Sequence, residues 1–341
     1  MQEHEAALAD EIASAGPDVA SVLAAAARLG PRVPRPGVDT LARLRVFAAI
    51  AERDVSTARV VEPHLDALAI LAEAGLPAGE GSWGVFAAEA PGSRLQLGPD
   101  GTLSGVKPWC SLAGALDSAL VTAWVDDERR GLFAVELRRA TATVTDVPWH
   151  ARGLTAVVSS PVRFDRAEAV PVGEPGWYLR RPGFAWGGIG VAACWWGGAR
   201  PLLQRLLERT ASTSDTLALA RIGRAHRAMA TAAESLAAAA SAIDRAATGP
   251  TDRDTESIRA HRVRGVVADA VAEVLSACQD VLGPGPAVFD AEYARRTADL
   301  ALYAAQYHRG RDDASLARTL ARAVAADPSA ANPQLTSPAG P

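Results

Sequence analysis

The sequence predicts an α+β fold: N-terminal helices, a central antiparallel β domain, and a C-terminal four-helix bundle. Three observations predict it. All eight tryptophans lie between Trp83 and Trp196. The segments on either side are rich in Ala, Leu, Val and Arg, with apolar residues at helical spacing. From Gly81 the period shortens, and Gly, Pro and polar turns begin to separate short apolar runs. The expected boundaries are residues 1–80, 81–180 and 181–326, followed by a disordered tail over 327–341. No internal repeat is evident.

The first 30 residues carry Ala, Leu and Val among acids at helical spacing, and Gly16-Pro17-Asp18 divides them. Asp18 suits the start of the second helix. Pro31, Pro34, Pro36 and Gly37 form a rigid connector. Asp39 or Thr40 then caps a helix with Leu41, Leu44, Phe47, Ala48 and Ile50 on one face. Asp54 to Thr57 starts another, with Val60, Val61, Leu65, Leu68 and Leu71 inward, and Gly75 and Pro77 end it. Ala richness is a discounted helix signal, because the Ala, Arg, Gly and Pro bias fits a GC-rich genome.

In the middle segment, Trp83 to Ala88 reads as a strand. Gly98-Pro99-Asp100-Gly101 is a tight turn between Leu95–Leu97 and Thr102–Val106, which predicts a hairpin. Further strands are predicted at 119–124, 132–137, 141–144 and 157–164, with a Pro/Gly-rich exit loop over 171–182. Helical spacing returns near Phe184 and runs to Arg209. Ser212 to Asp215 offers caps for a helix that Gly249-Pro250 ends. Residues 255–282 form the next, closed by Gly283-Pro284-Gly285-Pro286, and 291–308 the last.

At 341 residues, with 49% hydrophobic and 22% charged residues, the chain can bury a large core. A net charge of -4 speaks against a broadly basic nucleic-acid footprint. Lys107 is the only lysine. Cys110, Cys194 and Cys278 are scattered and odd in number, which is neither a disulfide framework nor a zinc site. His64, His150, His226 and His261 show no ligand spacing, so no metal is expected. Glu3, Glu5, Asp10 and Glu11 are the opposite of a basic signal region, and no apolar run has transmembrane length. The expectation is a soluble, cytoplasmic protein with no membrane and no nucleic-acid partner.

The segment Leu103-Ser-Gly-Val-Lys-Pro-Trp109-Cys-Ser111 ends a strand in an aromatic followed by a hydroxyl. An indole gives a stacking face to a flat ring, and a small hydroxyl can donate to an edge acceptor. The plain alternative is a strand residue under a bundle and a turn serine. Three further stretches lie in order around it: Phe86-Ala-Ala-Glu89-Ala-Pro-Gly92-Ser93, Val162-Arg-Phe164-Asp165, and Val170-Pro171-Val172-Gly173. With the helix–strand–helix order, these resemble the acyl-CoA dehydrogenase superfamily over about residues 40–310, with a shortened front.

The resemblance implies a flavoprotein that binds FAD between the β domain and the bundle, as a homodimer or homotetramer. It implies Trp109 and Ser111 against the ring, with Ala88 also among the cofactor contacts. It puts Ser93 near the phosphate or pantetheine part of an acyl thioester. It implies Arg209 at the cofactor pyrophosphate, and Gly283 at a backbone approach, of a neighbouring subunit. Ala211 and Ser212 replace the family's Phe and Gly after Arg209, and Gln279 stands one residue early before Gly283. Dehydrogenation needs a carboxylate base, and neither family location offers one in register. Asp299 is the nearest acid and His308 the nearest other base; the plain readings are a salt-bridge partner of Arg295 or Arg296, and a surface residue. The Trp195-Trp196 pair either narrows a substrate tunnel or fills the core. The leading expectation is an FAD-dependent oxidoreductase acting on an acyl thioester or related small molecule. The alternatives are an inactive structural or regulatory subunit, and a flavin monooxygenase that needs no such base.

Overall fold

The computed structural model describes residues 2–16 and 18–327. Helices α1 (Gln2–Ala13) and α2 (Val19–Leu29) lead through a short 3-10 turn at Gly30–Arg32 into α3 (Thr40–Arg53) and α4 (Val55–Glu73). Aspartates begin three of these helices as expected. Asp18, Asp39 and Asp54 accept from the backbone N–H of Ser21, Ala42 and Thr57, each satisfying a donor that the first turn leaves free. Thr40 ties the front to the bundle, donating its N–H and hydroxyl to Asp244 at 3.1 and 2.5 Å.

The middle forms β1 (Trp83–Phe86), β2 (Leu95–Leu97), β3 (Thr102–Ser111), β4 (Ser118–Trp124), β5 (Arg130–Glu136), β6 (Ala142–Val144), β7 (Ser159–Glu168) and β8 (Val170–Pro171). One sheet holds them in the order β6-β7-β3-β2-β4-β5-β8, with β1 beside β4. The predicted β2–β3 hairpin is present, and most neighbours are antiparallel. β1 runs parallel to β4, as does one residue pair of β2. The sheet is therefore mixed rather than purely antiparallel.

After a single turn, α5 (Trp177–Arg180), come α6 (Pro182–Arg209), α7 (Thr216–Thr248), α8 (Arg253–Leu282), the short α9 (Gly285–Phe289), α10 (Ala291–Ala304) and α11 (Arg309–Ala326). The helix expected over 291–308 is α10, ending at Ala304, and a further helix not expected, α11, follows from Arg309, so the C-terminal helices exceed the expected four. The tail expected to be disordered over 327–341 lies, from residue 328 on, outside the described residues. One apolar core runs through all three segments, from Leu8 and Phe47 through Leu103 and Phe164 to Trp195 and Val271. Trp195 is a core residue, packed edge-to-face on Tyr303 with centroids 6.2 Å apart. No helix among the described residues is long and apolar enough to cross a membrane.

Candidate functional site

Between Lys107 and Cys110, two β3 residues stand opposite the single Pro161 of β7. That is a β-bulge, which bends a strand and re-aims a side chain. Pro108 suits it, having no N–H for the ladder. Trp109 takes φ 58°, a left-handed conformation that costs a non-glycine residue about 1–2 kcal/mol. The result separates neighbours sharply. Lys107 and Cys110 are buried, while the Trp109 indole stands 58% exposed.

Ser111 ends the strand half-buried. Its hydroxyl accepts an N–H of Arg59 at 3.0 Å and pairs with the Ser159 hydroxyl at 2.7 Å. Arg59 comes from α4 and lies over the Tyr303 ring, 5.8 Å from its centroid. Its second terminal nitrogen, Nη1, is buried without a hydrogen-bond partner. Behind the strand, Lys107 Nζ donates to Glu89 at 2.6 Å and Thr122 at 2.8 Å, and Arg130 reaches the same carboxylate at 3.2 Å. Burial lowers the Lys107 ammonium pKa, and Glu89 opposes that effect. This pair brings the two most specific sequence stretches together. It fixes the 87–94 loop, with Ala88 exposed and Ser93 half-buried, to β3.

A three-ring cofactor meets a definite geometry here. The hollow behind Ser111, lined by Arg59, Trp83, Phe86, Leu112 and Leu116, holds about 20 Å³, room for about one water. That hollow is too small for a ring system, and the open indole lies on the outer side. The Ser111 hydroxyl follows two residues after that indole, whereas Arg59 Nη1 is buried and lies on the inner side with the hollow. The residues fit a flavin on the outer side.

The remaining predicted residues lie elsewhere. Arg209, at the end of α6, is exposed and donates to Ser212 at 3.2 Å. Gly283 caps α8 at φ 67° with open space beside it. Contacts from Cys278 to the Leu202 carbonyl and from Arg205 to Asp290 put both at one end of the bundle. Asp299 is buried and engaged. It accepts from the Leu154 N–H at 2.5 Å, the Ser56 hydroxyl at 3.1 Å and Arg295 at 3.5 Å. Burial still raises its pKa, against those hydrogen bonds. His308 is exposed just before α11, its backbone N–H donating to Asp312 at 2.9 Å.

A second site carries no signal in the sequence. A cleft of about 560 Å³ lies among α4, α5, α6, α8 and α11. Its walls are braced by Arg181–Glu73 at 2.7 Å, Trp186 Nε1 to Glu256 at 2.7 Å, Arg322–Asp254 at 2.8 Å, and Arg264 to the Gly188 carbonyl at 3.0 Å. Glu62 and Asp66, one turn apart on α4, line it. Neither makes a hydrogen bond or ion pair with a described residue, although Glu62 is only 7% exposed. Gly187 of α6 leaves room for them, since a Cβ there would stand 2.8 Å from Asp66 Oδ1. Burial, then the neighbouring Asp66, pushes the Glu62 carboxyl up to about 7, with Arg59, Arg43 and Arg264 opposing. Burial raises Asp66 as well.

No protein-family profile and no curated protein matches the sequence. Solved structures do match the fold. The dibenzothiophene monooxygenase TdsC from Paenibacillus sp. A11-2 is 17% identical, with a TM-score of 0.76 over 93% of this chain and 95% of that one. XiaF from Streptomyces sp., solved with FADH2 and glycerol, is 20% identical, with a TM-score of 0.68 over 89% and 91%. Butyryl-CoA dehydrogenase from Megasphaera elsdenii is 16% identical, with a TM-score of 0.72 over 89% and 93%. Helical front, bulged sheet and helical back together give this chain the acyl-CoA dehydrogenase-like fold.

Proposed function

We propose that the chain is a flavin-dependent oxidoreductase acting on a small molecule, with FAD as its cofactor. One observation carries this reading: a bulge and a left-handed backbone hold Trp109 out of the sheet, two residues before the Ser111 hydroxyl. Backbone strain of this kind concentrates at functional sites. TdsC has been solved with FMN and XiaF with FADH2, which supports a flavin on this scaffold.

Trp109 would provide the stacking face. Ser111 accepts from Arg59 and shares a hydrogen bond with Ser159 in which either hydroxyl can donate; with Ser159 as the donor, the Ser111 proton would serve an acceptor on the ring edge. The flavin, when bound, supplies the electron chemistry, while the protein sets orientation and electrostatics. FAD rather than FMN is favoured by Arg209 and Gly283. They share one open end of the bundle, where a diphosphate held by a second copy of the chain could be met in a homodimer or homotetramer.

The resemblance names an acyl thioester as substrate, with Ser93 beside it. The setting of Asp299 favours a monooxygenase instead. Its carboxylate is committed to Leu154, Ser56 and Arg295, and a monooxygenase needs no α-proton base at the end of α10. The test is the visible spectrum of the purified protein after incubation with FAD or FMN and removal of free flavin. Retained flavin absorbance, with FAD held in preference, supports the reading. Colourless protein from both incubations overturns it and leaves the structural-subunit alternative.

A further inference from the structure

We infer that the cleft between α4, α6, α8 and α11 is a binding site for a small amine that also carries an anionic group, its ammonium seated on Glu62 and Asp66. The argument starts from hydrogen-bond accounting. A buried carboxylate without partners costs the folded state several kcal/mol. Glu62 is nine-tenths buried and lines a cavity of about 560 Å³, yet it pairs with no described residue.

Charged or titratable groups face it from every packed element, the tyrosines and the cysteine being kept neutral by burial. Arg43 reaches it from α3, Arg59 and Asp66 from α4, Tyr178 from α5, Cys194 from α6, Arg264 from α8 and Tyr303 from α10. These three arginines are held by other acceptors, as is Arg181, near Asp66 and paired with Glu73 at 2.7 Å. Arg43 donates to the Pro34 carbonyl, Arg59 to Ser111, and Arg264 to the Gly188 and Gln306 carbonyls. The two carboxylates are thus left facing the cavity with their lone pairs free.

An ammonium answers both needs of such a pair, supplying positive charge and up to three N–H donors. A metal ion is the poorer match, because no cluster of three or more His, Cys, Asp or Glu occurs among the described residues. The other end of the ligand follows from the mouth. Arg253 and Arg318 line the cleft, are exposed, and form no ion pair with a described residue. Guanidinium groups in that position suit a carboxylate or phosphate. The site does not depend on the flavin reading, and its ligand can be measured without flavin.

Pyridoxamine 5′-phosphate and pyridoxine 5′-phosphate are matched probes. Each has one ring and one phosphate, and they differ by an amine against a hydroxyl. The experiment is calorimetric titration of both into the wild-type protein and Glu62→Gln at pH 8, with the amine repeated at pH 6. The expected result is at least about tenfold tighter binding of the amine, the order of a charge-assisted hydrogen bond. That preference is lost in Glu62→Gln, and it weakens at pH 6 as the carboxyls take up protons. Arg318→Ser weakens both probes alike. Equal affinity for the two probes, no binding of either at millimolar concentration, or a preference that survives Glu62→Gln overturns the inference. Circular dichroism of the variant shows whether a loss reflects misfolding, and Asp66→Asn supplies the same readout should it do so.

Discussion

Replacing Glu62 by Gln should stabilise the protein at alkaline pH and leave it nearly unchanged in acid. An ordinary carboxyl titrates at 4.5, and burial holds this one at about 7 in the folded state. Each pH unit of difference is worth about 1.36 kcal/mol. A folded-state pKa above the unfolded one means that the folded state binds the proton more tightly. The penalty is absent below pH 4.5, grows between 4.5 and 7, and is complete above 7. Fully ionised, Glu62 then costs the fold on the order of 3 kcal/mol. Gln keeps the shape and a neutral polar end, as the protonated acid does, so the gain at pH 8.5 minus that at pH 4.5 isolates the charge. Asp66 competes for the same proton, which spreads the gain over two steps. Urea unfolding at the two pH values measures it, and a melting-temperature rise of about 5 °C at pH 8.5 is the expected companion. A variant less stable than wild type at pH 8.5, or a difference independent of pH, would refute the claim that this carboxylate is buried without a partner.

Three further outcomes follow from the packing around the strand end. A Cβ at Gly153 would stand 2.1 Å from the Ala298 carbonyl oxygen, so Gly153→Ala should cost about 3 kcal/mol in thermal or urea unfolding; a loss under about 0.5 kcal/mol contradicts the close approach of that loop to α10. Asp299→Ala leaves the Leu154 N–H unpaired and should cost about 2–3 kcal/mol, whereas Asp299→Asn keeps an acceptor and should cost about 1; a stable Asp299→Asn protein without any activity would mark Asp299 as a base instead. Trp109→Asn and Trp109→Val lose the same ring, but Asn tolerates the left-handed backbone, so Asn should be the more stable by about 1 kcal/mol; equal stabilities would mean that no strain is held there.

Much of the fold was legible because its signals are local. Asp18, Asp39, Asp54 and Asp215 announce helix starts, since a short acceptor side chain meets N–H groups that have no partner in the helix. Gly98 to Gly101 announces the hairpin. The strand-end pair Trp109 and Ser111 was legible from order and spacing, but the bulge that turns the indole outward depends on pairing with β7. Helix α11 carries no distinct signal beyond 308, because its Ala and Arg content resembles the background composition. β8 and α5 were read as loop, each being too short to show a period. Glu62 and Asp66 were invisible for a different reason. On α4 alone they read as a solvated stripe. Only the packing of α6, whose Gly187 leaves space without supplying a partner, turns that stripe into the floor of a cleft.

The claim that the end of β3 is a flavin berth is tested most directly by titrating FAD into wild-type protein and Trp109→Ala. Stoichiometric uptake by the wild type is expected, with affinity in the variant falling about tenfold as a stacked aromatic contact of about 1–1.5 kcal/mol is lost. Equal affinity in the two proteins, or no uptake by the wild type, would contradict it.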